Sequence, residues 1–361
     1  MEEATVQPEV SVIVPARNEE ANLADCLQTL VGQEDITYEV IVVDDHSDDR
    51  TRAIAETFPV RIISADPLPE GWSGKCNAAW DGAKVAKGKW LLFTDADTKH
   101  SSSSIVCGVR EAIAHQAELL SYSPKQNVHG FAERLLMPVI FAELAQTYRP
   151  AQVCDPNSTV AAANGQYLLI RRGTYDAIGG HAAVARSILE DVELAKLVKR
   201  AGHRLWFRQA NVVSTRMYRS FGQMWEGWTK NLALLFPNAR GLAVRRGVEF
   251  VLIAGCLLVT MNALLERHPI GLVINGLLAA TFLFFFYMRI HQAHFDGLST
   301  SLAIFGLPFF SVLLLNSYIS GTQGKIRWKG REYTSWSGSE TKLVDSQSVP
   351  RGSETSARPH L

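Results

Sequence analysis

The chain has 361 residues with 36 basic and 36 acidic side chains, and 47% of its residues are apolar. That apolar fraction excludes a disordered chain, and the balanced charge gives no basic excess that would favour binding to nucleic acid. Five scattered cysteines without a C-x-x-C pair argue against structural zinc and favour a reducing compartment. The acidic first eight residues lack an apolar secretion signal, so we expect a fold in the cytosol.

Four runs in the first hundred residues read as buried strands. They are short, rich in β-branched side chains and bounded by polar turn residues. These runs are residues 10–14, 39–43, 60–63 and 90–94.

Two helices are predicted between these strands. Asn18 is placed to cap the first, which Gly32 would end, and the second is expected to begin at Ser47 or Asp48. Strands that alternate with helices predict an α/β fold with a mostly parallel, Rossmann-like sheet. Ligands of such sheets bind outside the carboxyl ends of the strands, where the most unusual polar residues of this sequence lie.

Two pairs of acidic residues follow predicted strands. Asp95 and Asp97 come directly after the fourth strand, where two carboxylates form a hard oxygen site for Mg²⁺ or Mn²⁺. Such an ion can bridge the phosphates of a nucleotide-sugar, although a lone D-x-D also fits a solvated turn. Asp44 and Asp45 end the second strand, and we expect one of them to face the crevice and accept a hydrogen bond from a base or ribose.

Two glycine-containing turns offer further contacts. Residues 71–75 form a glycine turn that leads into a helix, so that backbone N–H groups and Lys75 can contact a diphosphate. A plain loop that ends in lysine is the alternative. Asn164 and Gly165 precede an apolar run, and the glycine would let a ligand approach closely.

A third acidic site lies at the start of a predicted amphipathic helix. Ser187 and Glu190 fit the S-x-x-E capping box, which gives Glu190 a structural explanation. Asp191 has no such explanation, and the helix dipole would help to keep it ionised. A carboxylate in this place suits a general base that takes a proton from an acceptor hydroxyl, whereas a surface aspartate at a helix start is the alternative.

The composition changes sharply after residue 246. Three runs of about twenty mostly apolar residues follow, which is the length that a bilayer crossing needs. We interpret them as transmembrane helices in preference to buried core helices. The runs are residues 248–266, 270–288 and 298–319. The chain is thereby divided into a cytosolic catalytic domain (1–240), a membrane domain (241–322) and a basic, then disordered tail (323–361).

The basic residues leave the membrane topology open. Arg240, Arg245 and Arg246 place the start of the first run in the cytosol, and three crossings would then export the tail. The basic residues of 325–331 prefer the cytosol, so either one run is re-entrant or interfacial, or the tail is exported against the rule. We expect a multi-pass protein of the inner (plasma) membrane whose catalytic domain faces the cytosol.

Two further segments have two interpretations each. Residues 133–148 have an apolar face that fits a helix lying on the membrane or a core-facing helix. Residues 217–231 fit interfacial anchoring by tryptophan, or contact to an acceptor or diphosphate. The candidates for such contacts are Asn164, Gly165, Glu190, Arg219 and Trp228.

Four motifs, in this order and spacing, resemble those of the family 2 glycosyltransferases. They are 12–20 (VIVPARNEE), 42–47 (VVDDHS), 94–97 (TDAD) and 190–191 (ED). The stretch 67–76 further resembles a bacterial branch of hopene-associated or carotenoid-type lipid glycosyltransferases. The resemblance implies a GT-A fold, a nucleotide-sugar donor of the UDP type, a divalent metal, a lipid acceptor and inversion at the anomeric carbon.

The resemblance also implies roles for single residues. Asp191 would be the base, Asp97 with Asp95 would hold the metal and diphosphate, and Asp95 would also serve the ribose. Together with Lys75, the candidate nucleotide contacts are Pro15, Ala16, Arg17, Glu19, Asp45 and Asp95.

Processive members of the family carry Q/R-x-x-R-W, whereas residues 223–228 lack the arginine, which favours transfer of a single sugar. Two other functions are considered. A sugar nucleotidyltransferase needs no membrane spans, and its glycine-rich loop with Arg or Lys is missing here. A catalytically silent membrane scaffold is the second, and the intact acidic residues at three sites argue against it.

Overall fold

The computed structural model describes residues 7–323, 326–328 and 331–333. Its strands are β1 (Val10–Ala16), β2 (Tyr38–Asp44), β3 (Arg61–Ser64), β4 (Trp90–Phe93), β5 (Thr98–His100), β6 (Leu119–Gln126), β7 (Leu168–Arg171), β8 (Leu205–Thr215), β9 (Ile326–Trp328) and β10 (Arg331–Tyr333).

Its helices are α1 (Leu23–Leu30), α2 (Thr51–Ala55), α3 (Gly74–Val85), α4 (Ser104–Ala114), α5 (Phe131–Thr147), α6 (Pro150–Val153), α7 (Arg172–Ala177), α8 (Gly180–Ala183), α9 (Glu190–Arg200), α10 (Phe221–Leu235), α11 (Ala239–Leu265), α12 (Pro269–His291) and α13 (Gly297–Thr322).

The main sheet is mixed, with the strand order β3-β2-β1-β4-β7-β6-β8-β5. The pairs β1–β2, β1–β4 and β2–β3 are parallel, as is β6–β8. Strand β7 runs antiparallel to both of its neighbours, and the edge strand β5 runs antiparallel to β8. The predicted α/β fold with a mostly parallel sheet is confirmed.

All four predicted strands are confirmed to within two residues at each end. Successive side chains of a strand point to opposite faces, and both faces of this sheet are covered. In β1, Val12 and Val14 pack on one face in the core that includes α1 and α4. Ile13 packs on the other face in the core that includes α3 and α9. Burial on both faces explains why the strands read as continuous apolar runs.

The predicted starts of the first two helices are wrong. Helix α1 begins at Leu23 and α2 at Thr51, several residues later than expected. Asn18 has a positive φ of 52°, and its side-chain oxygen accepts a hydrogen bond from the Asp48 N–H at 2.9 Å. The Asn18 N–H in turn donates to Ser47 Oγ. These polar residues therefore tie the loop after β1 to the loop after β2 and do not cap the helices.

Three helices in the described part of the chain, α11, α12 and α13, are long and apolar enough to cross a membrane. They contain the three predicted runs almost entirely. Helix α11 begins nine residues before its run, so the expected domain boundary at 240/241 falls inside that helix. The tail beyond residue 323 is described only at β9 and β10, which pair antiparallel, and the disorder expected for 334–361 lies outside the described residues.

The C-terminal helices share one hydrophobic cluster with α5 and α10. Helix α13 packs so closely on α5 that a Cβ on Gly306 would lie 2.0 Å from the Leu135 carbonyl oxygen. Helix α10 is joined to α13 by the Ala233 N–H, which donates to Ser317 Oγ at 2.9 Å. Of the two interpretations of residues 133–148, the structure therefore shows a buried helix that packs on the apolar helices.

Candidate active site

A crevice lies outside the carboxyl ends of β1, β2 and β4. Strands β2 and β3 lie on one side of β1 and β4 on the other, which is the switch point where open α/β sheets bind ligands. The crevice belongs to one continuous cavity of about 1000 Å³. Ligand pockets usually measure about 300–1000 Å³, so this cavity has room for a large ligand or for two smaller ones.

All predicted site residues except one line this cavity. Arg219 is the exception, because its guanidinium donates to the Ala21 carbonyl at 2.8 Å and to Asn22 Oδ1 at 2.7 Å, on the loop before α1. The residues that line the cavity are Pro15, Ala16, Arg17, Glu19, Asp45, Lys75, Asp95, Asp97, Asn164, Gly165, Glu190, Asp191 and Trp228.

One part of the cavity is formed by the ends of β1 and β2. Asp45 is 4% exposed and lines the cavity, and its N–H donates to the Ala16 carbonyl at 2.8 Å. Arg17 donates to the Asp45 carbonyl at 3.0 Å. Asp44 instead accepts a hydrogen bond from the Ser47 N–H at 3.1 Å within the following turn. Of the two aspartates, Asp45 is therefore the one that faces the crevice.

The turn that carries Asp95 and Asp97 is held by buried hydrogen bonds to its backbone. Thr98 Oγ1 donates to the Asp95 carbonyl at 2.8 Å, and Thr215 Oγ1 donates to the Asp97 carbonyl at 3.2 Å. His100 lies 3.1 Å from Thr98 Oγ1, and burial lowers the pKa of its ring to about 3, so it supports this network as a neutral group. Because these hydrogen bonds use the backbone carbonyls of Asp95 and Asp97, both carboxylates are left to face the cavity.

Asp95 and Asp97 fit a divalent ion through the chemistry of their side chains. Both carboxylates line the cavity and are partly exposed, and Mg²⁺ and Mn²⁺ prefer oxygen ligands of this kind. Across the described ranges, no group of three or more His, Cys, Asp or Glu side chains is placed to hold a metal by itself. An ion at these two aspartates would therefore complete its shell with phosphate oxygens and water, as Mg²⁺ commonly does beside nucleotides.

Lys75 connects the carboxylates of two different elements. It follows the N-cap of α3, where Ser73 Oγ accepts from the Cys76 N–H, and its Nζ lies 2.7 Å from Asp95 Oδ1 and 2.8 Å from Glu190 Oε1. Burial acts to lower the pKa of this ammonium, but the three surrounding carboxylates raise it well above its usual value. Lys75 is therefore a fixed positive charge at the centre of the acidic site.

The capping box predicted for Glu190 is wrong. Helix α9 begins at Glu190 with Leu189 as its N-cap, and Ser187 Oγ accepts from the Leu189 N–H. Glu190 lies in the first turn, where its carboxylate reaches Lys75, and an ammonium is a stronger partner than a backbone N–H. Burial would raise the pKa of Glu190, but the Lys75 charge holds it below its usual value, so Glu190 is an anion.

Asp191 is aimed into the cavity by two backbone groups. Its Oδ2 accepts a hydrogen bond from the Gly165 N–H and its Oδ1 from the Val192 N–H, both at 2.8 Å. Burial, and next to it the negative charge of Glu190, raise the pKa of Asp191 to about 7, against the lowering effect of Lys75. A carboxylate with such a pKa is matched to proton transfer near neutral pH.

Gly165 allows Lys75 to reach this position. A Cβ at residue 165 would lie 2.8 Å from Lys75 Nζ and 3.6 Å from Asp191 Oδ2. The close approach expected at this glycine is therefore made by a side chain of the protein itself. Asn164 shapes the same turn, because its Oδ1 accepts from the Gln166 N–H at 2.9 Å.

Helices α5 and α10 also line the cavity, and sequence reasoning missed most of this part of the lining. Trp228 is buried beside Phe141, with the two rings edge to face at 6.1 Å, and its N–H donates to Met137 Sδ. Lys230, two residues further along α10, also lines the cavity, and burial lowers the pKa of its ammonium to about 8. The apolar face noted within residues 133–148 was the only sequence signal for the α5 wall.

Comparison with known proteins identifies the family. The sequence profile described as "Glycosyl transferase family 2" matches residues 11–192, just over half of the chain. The chain belongs to glycosyl transferase family 2. The matched segment begins in β1 and ends one residue after Asp191, so it contains all four acidic motifs.

Curated relatives extend the similarity beyond this segment. A 4,4'-diaponeurosporenoate glycosyltransferase of Staphylococcus haemolyticus is 31% identical over 236 residues, which are 62% of this chain and 61% of that protein. The protein of the same name from Staphylococcus aureus MRSA252 is 26% identical over 341 residues, which are 90% of this chain and 88% of that protein. The second alignment includes the C-terminal helices.

The fold is also that of a glycosyltransferase of known structure. The mannosyltransferase PcManGT from Pyrobaculum calidifontis, solved with GDP-Man and Mn²⁺, superimposes with a TM-score of 0.51 at 17% sequence identity. The superposition covers 88% of this chain and 87% of that one. At this identity the similarity shows the GT-A fold alone. The donor and the metal of the present chain are therefore argued from its own residues.

Proposed function

We propose that this family 2 member transfers a single sugar from a nucleotide-diphosphate-sugar, of the UDP type, to a polar group at the end of an apolar lipid. One observation carries the proposal. A single cavity is lined by the acidic residues Asp95 and Asp97 at a strand end, by Asp191, and by apolar side chains of α5 and α10. The names of the two staphylococcal relatives, which refer to a carotenoid acceptor, support the same class of acceptor.

The donor is proposed to occupy the polar end. Asp45 and the Pro15–Ala16 strand end would hold the base and ribose, while Asp95 and Asp97 would hold a Mg²⁺ or Mn²⁺ ion. The bound ion supplies positive charge to the diphosphate as it leaves. Lys75 is a cation of the protein itself in the same place, and its ion pairs with Asp95 and Glu190 orient both carboxylates.

The proposed reaction is a direct displacement. Asp191 takes the proton from an acceptor hydroxyl, whose oxygen forms a bond to the anomeric carbon of the sugar. The bond from that carbon to the diphosphate breaks on the opposite face, and its electron pair leaves with the nucleotide diphosphate. The configuration at the anomeric carbon is thereby inverted. A base of pKa about 7 is about half ionised at neutral pH and can accept this proton.

A second acceptor group follows from the relatives' names. The ending of diaponeurosporenoate denotes a carboxylate, and a carboxylate is already ionised at neutral pH. Its oxygen could attack the anomeric carbon without a base and would form a glycosyl ester. In that case Asp191, in its neutral form, would donate a hydrogen bond to the acceptor. The two cases differ in how much activity Asp191→Asn retains.

The location follows from the three apolar helices. We infer a multi-pass protein of the inner membrane with residues 1–240 on the cytosolic side, where nucleotide-sugars are made. The joint packing of α5 and α10 with α11, α12 and α13 supports an active site placed directly at the membrane surface.

The proposal is tested by measuring nucleotide-diphosphate release from detergent-purified protein. A panel of sugar donors is offered with Mg²⁺ or Mn²⁺ and with extracted bacterial lipids, and Asp97→Ala is assayed beside the wild type. We expect metal-dependent, lipid-stimulated release from one donor and its loss in the variant. Absence of release and of donor binding with every donor would instead support the silent-scaffold function.

A further inference from the structure

Helix α13 differs from the two apolar helices before it in how much of its surface the protein covers. Half of its most apolar stretch is buried within the protein, whereas only 11% of the corresponding stretch is buried in α11 and in α12. Val251, Leu252 and Leu257 of α11 point in three directions around that helix, and all three are exposed. Helix α11 therefore presents apolar side chains on most sides, as a helix surrounded by lipid does.

The exposed large side chains of α13 form a single stripe. They recur at spacings of seven, four, three and seven residues, which place them within about 80° of one another around the helix. They are Leu298, Phe305, Phe309, Val312 and Ile319. The opposite face is fully buried at Ala303, Leu307 and Phe310, and it packs on α5 and α10. One face of α13 thus belongs to the protein, and the other is free to meet a second apolar surface.

Both ends of α13 are joined to the catalytic domain. At the start of the helix, the N-cap Asp296 lies 3.3 Å from Arg134 of α5. Near its end, Ser317 Oγ accepts a hydrogen bond from the Ala233 N–H of α10 at 2.9 Å. Helix α10 also carries the cavity residue Trp228. The two ends of α13 are therefore held by the same part of the chain that holds the active site.

The segment after α13 also lies beside the catalytic domain. Cα atoms of β9 lie within 8 Å of Cα atoms of α10. A helix of 26 residues is about 39 Å long, which exceeds the hydrocarbon thickness of a bilayer, about 30 Å. If α13 crossed the bilayer, β9 would lie on the side opposite to the catalytic domain and could not contact α10, which lines the cavity.

We propose that α13 lies flat on the membrane surface on the side of the catalytic domain, and that of the three apolar helices only α11 and α12 cross the bilayer. The partner of the exposed stripe is the boundary between the headgroups and the acyl chains of that bilayer. Continuity selects this partner, because five residues separate the end of α12 from the start of α13. The inference rests on the location given under the proposed function, and it adds the number of crossings and the side of the tail.

This arrangement agrees with the distribution of charge. Two crossings return the chain to the side on which it started, so the basic segment 325–331 lies on the same side as Arg240 and Arg245. Helices α5 and α10, which line the cavity, then rest on the bilayer through α13. Helix α13 thereby holds the active site at the level of the lipid headgroups.

The side of each segment is measured with single introduced cysteines and a membrane-impermeant maleimide, applied to spheroplasts and to inverted inner-membrane vesicles. The exposed positions are Ser102→Cys in the catalytic domain, Glu266→Cys between α11 and α12, and Gln323→Cys after α13. Peptide mass spectrometry assigns the label to a position, so the native cysteines remain in place. We expect Ser102→Cys and Gln323→Cys to be labelled only in inverted vesicles, and Glu266→Cys only in spheroplasts.

The orientation of α13 is measured in nanodiscs with bimane attached to a cysteine at the middle of the helix. The variant is Phe309→Cys, and Leu258→Cys at the middle of α11 is the matched control, since both side chains are exposed. Lipids that carry a nitroxide at a shallow or a deep position of the acyl chain quench the fluorescence. We expect the shallow nitroxide to quench Phe309→Cys more strongly and the deep nitroxide to quench Leu258→Cys more strongly. Labelled wild type gives the signal of the native cysteines.

Labelling of Gln323→Cys from the side of Glu266→Cys, or from neither side, would overturn the inference, as would deep quenching of Phe309→Cys. Labelling of Ser102→Cys together with Gln323→Cys from outside the cell would keep the inference and refute the proposed location. Labelling of all three positions from one side would refute both, because α11 and α12 would not cross. Neither measurement depends on sugar transfer, so failure of the proposed transferase activity would leave these results unchanged.

Discussion

Two parts of the cavity lining are built in opposite ways. In the first, Asp45 and Asp95 come within two residues of the ends of parallel strands, so that a short loop brings them into the crevice. In the second, the lining consists of side chains that lie far apart in the chain, such as Phe141 of α5 and Ala293 after α12. Local motifs determine the first part, and the packing of distant helices determines the second.

This difference explains what the sequence could predict. The strands and the crevice could be predicted from short local patterns and from the rule that ligands bind at strand ends. Twelve of the thirteen candidate residues that line the cavity were named from turn and helix-start motifs or from the motifs that resemble family 2 glycosyltransferases. Trp228, the remaining one, was left between anchoring and ligand contact, because its environment depends on Met137 and Phe141 of another helix.

Three local details escaped the same reasoning. Asn18 and Ser47 have the composition of helix caps, yet each finds a partner in the neighbouring loop, and no sequence pattern reports that the two loops touch. Glu190 matched a capping box, but Lys75, more than a hundred residues earlier in the chain, is the partner that it finds. In each case a tertiary contact competes with a local one, and it is the stronger of the two.

The largest expected effect is the loss of turnover when Asp191 is replaced. Asp191→Asn removes the base, so turnover with a hydroxyl acceptor should fall by about 10²–10⁴-fold while donor binding is largely kept. Turnover and donor affinity are measured by nucleotide-diphosphate release and by calorimetric titration. Glu193→Gln, on the same helix, is the control and should leave both unchanged. Nearly full activity of Asp191→Asn with a carboxylate acceptor would identify ester formation. Equal loss of turnover and of donor binding would contradict the role of Asp191 as the base.

The helical part of the cavity wall should depend for its stability on a buried charge cluster, in which Glu143 of α5 pairs with Arg246 of α11 and Arg289 of α12. Glu143→Gln leaves Arg246 and Arg289 with one carboxylate fewer, and breaking such a buried cluster typically costs about 3–5 kcal/mol of unfolding free energy. An exposed pair at the edge of the sheet serves for comparison, Lys99 of β5 with Asp25 of α1, where Lys99→Met should cost about 0–1 kcal/mol. Denaturant titration in bicelles measures both. Similar losses of unfolding free energy in the two variants would show that the buried cluster stabilises the protein no more than an exposed ion pair does.

The activity with a hydroxyl acceptor should depend on pH through Asp191. Since burial and Glu190 raise its pKa to about 7, the base is neutral below that pH, and kcat/KM should fall as the pH drops through about 7. Glu190→Gln removes the neighbouring negative charge and should move this fall in kcat/KM to lower pH. The measurement is a profile of kcat/KM from pH 5 to 9 for both proteins. If kcat/KM of Glu190→Gln falls at the same pH as that of the wild type, a group other than Asp191 controls the pH dependence.

The smallest effect is expected at Gly165. Gly165→Ala places a Cβ 2.8 Å from Lys75 Nζ, so the flexible ammonium must shift and its pairing with Asp95 weakens. We expect a loss of about two- to tenfold in kcat/KM, the size of one partly exposed ion pair. Gly173→Ala is the control, because a Cβ there meets no atom within 4 Å. Unchanged kinetics of Gly165→Ala would mean that Lys75 does not need this position during turnover.

The central claim is that one cavity joins a nucleotide-sugar to an apolar acceptor. The most direct measurement is transfer of a radiolabelled sugar from its nucleotide-diphosphate donor into the organic phase, with wild-type protein in nanodiscs of bacterial lipid. We predict metal-dependent appearance of label in a lipid with a single sugar, abolished by Asp97→Ala. Label that stays in the aqueous phase as free sugar, although nucleotide diphosphate is released, would contradict the claim.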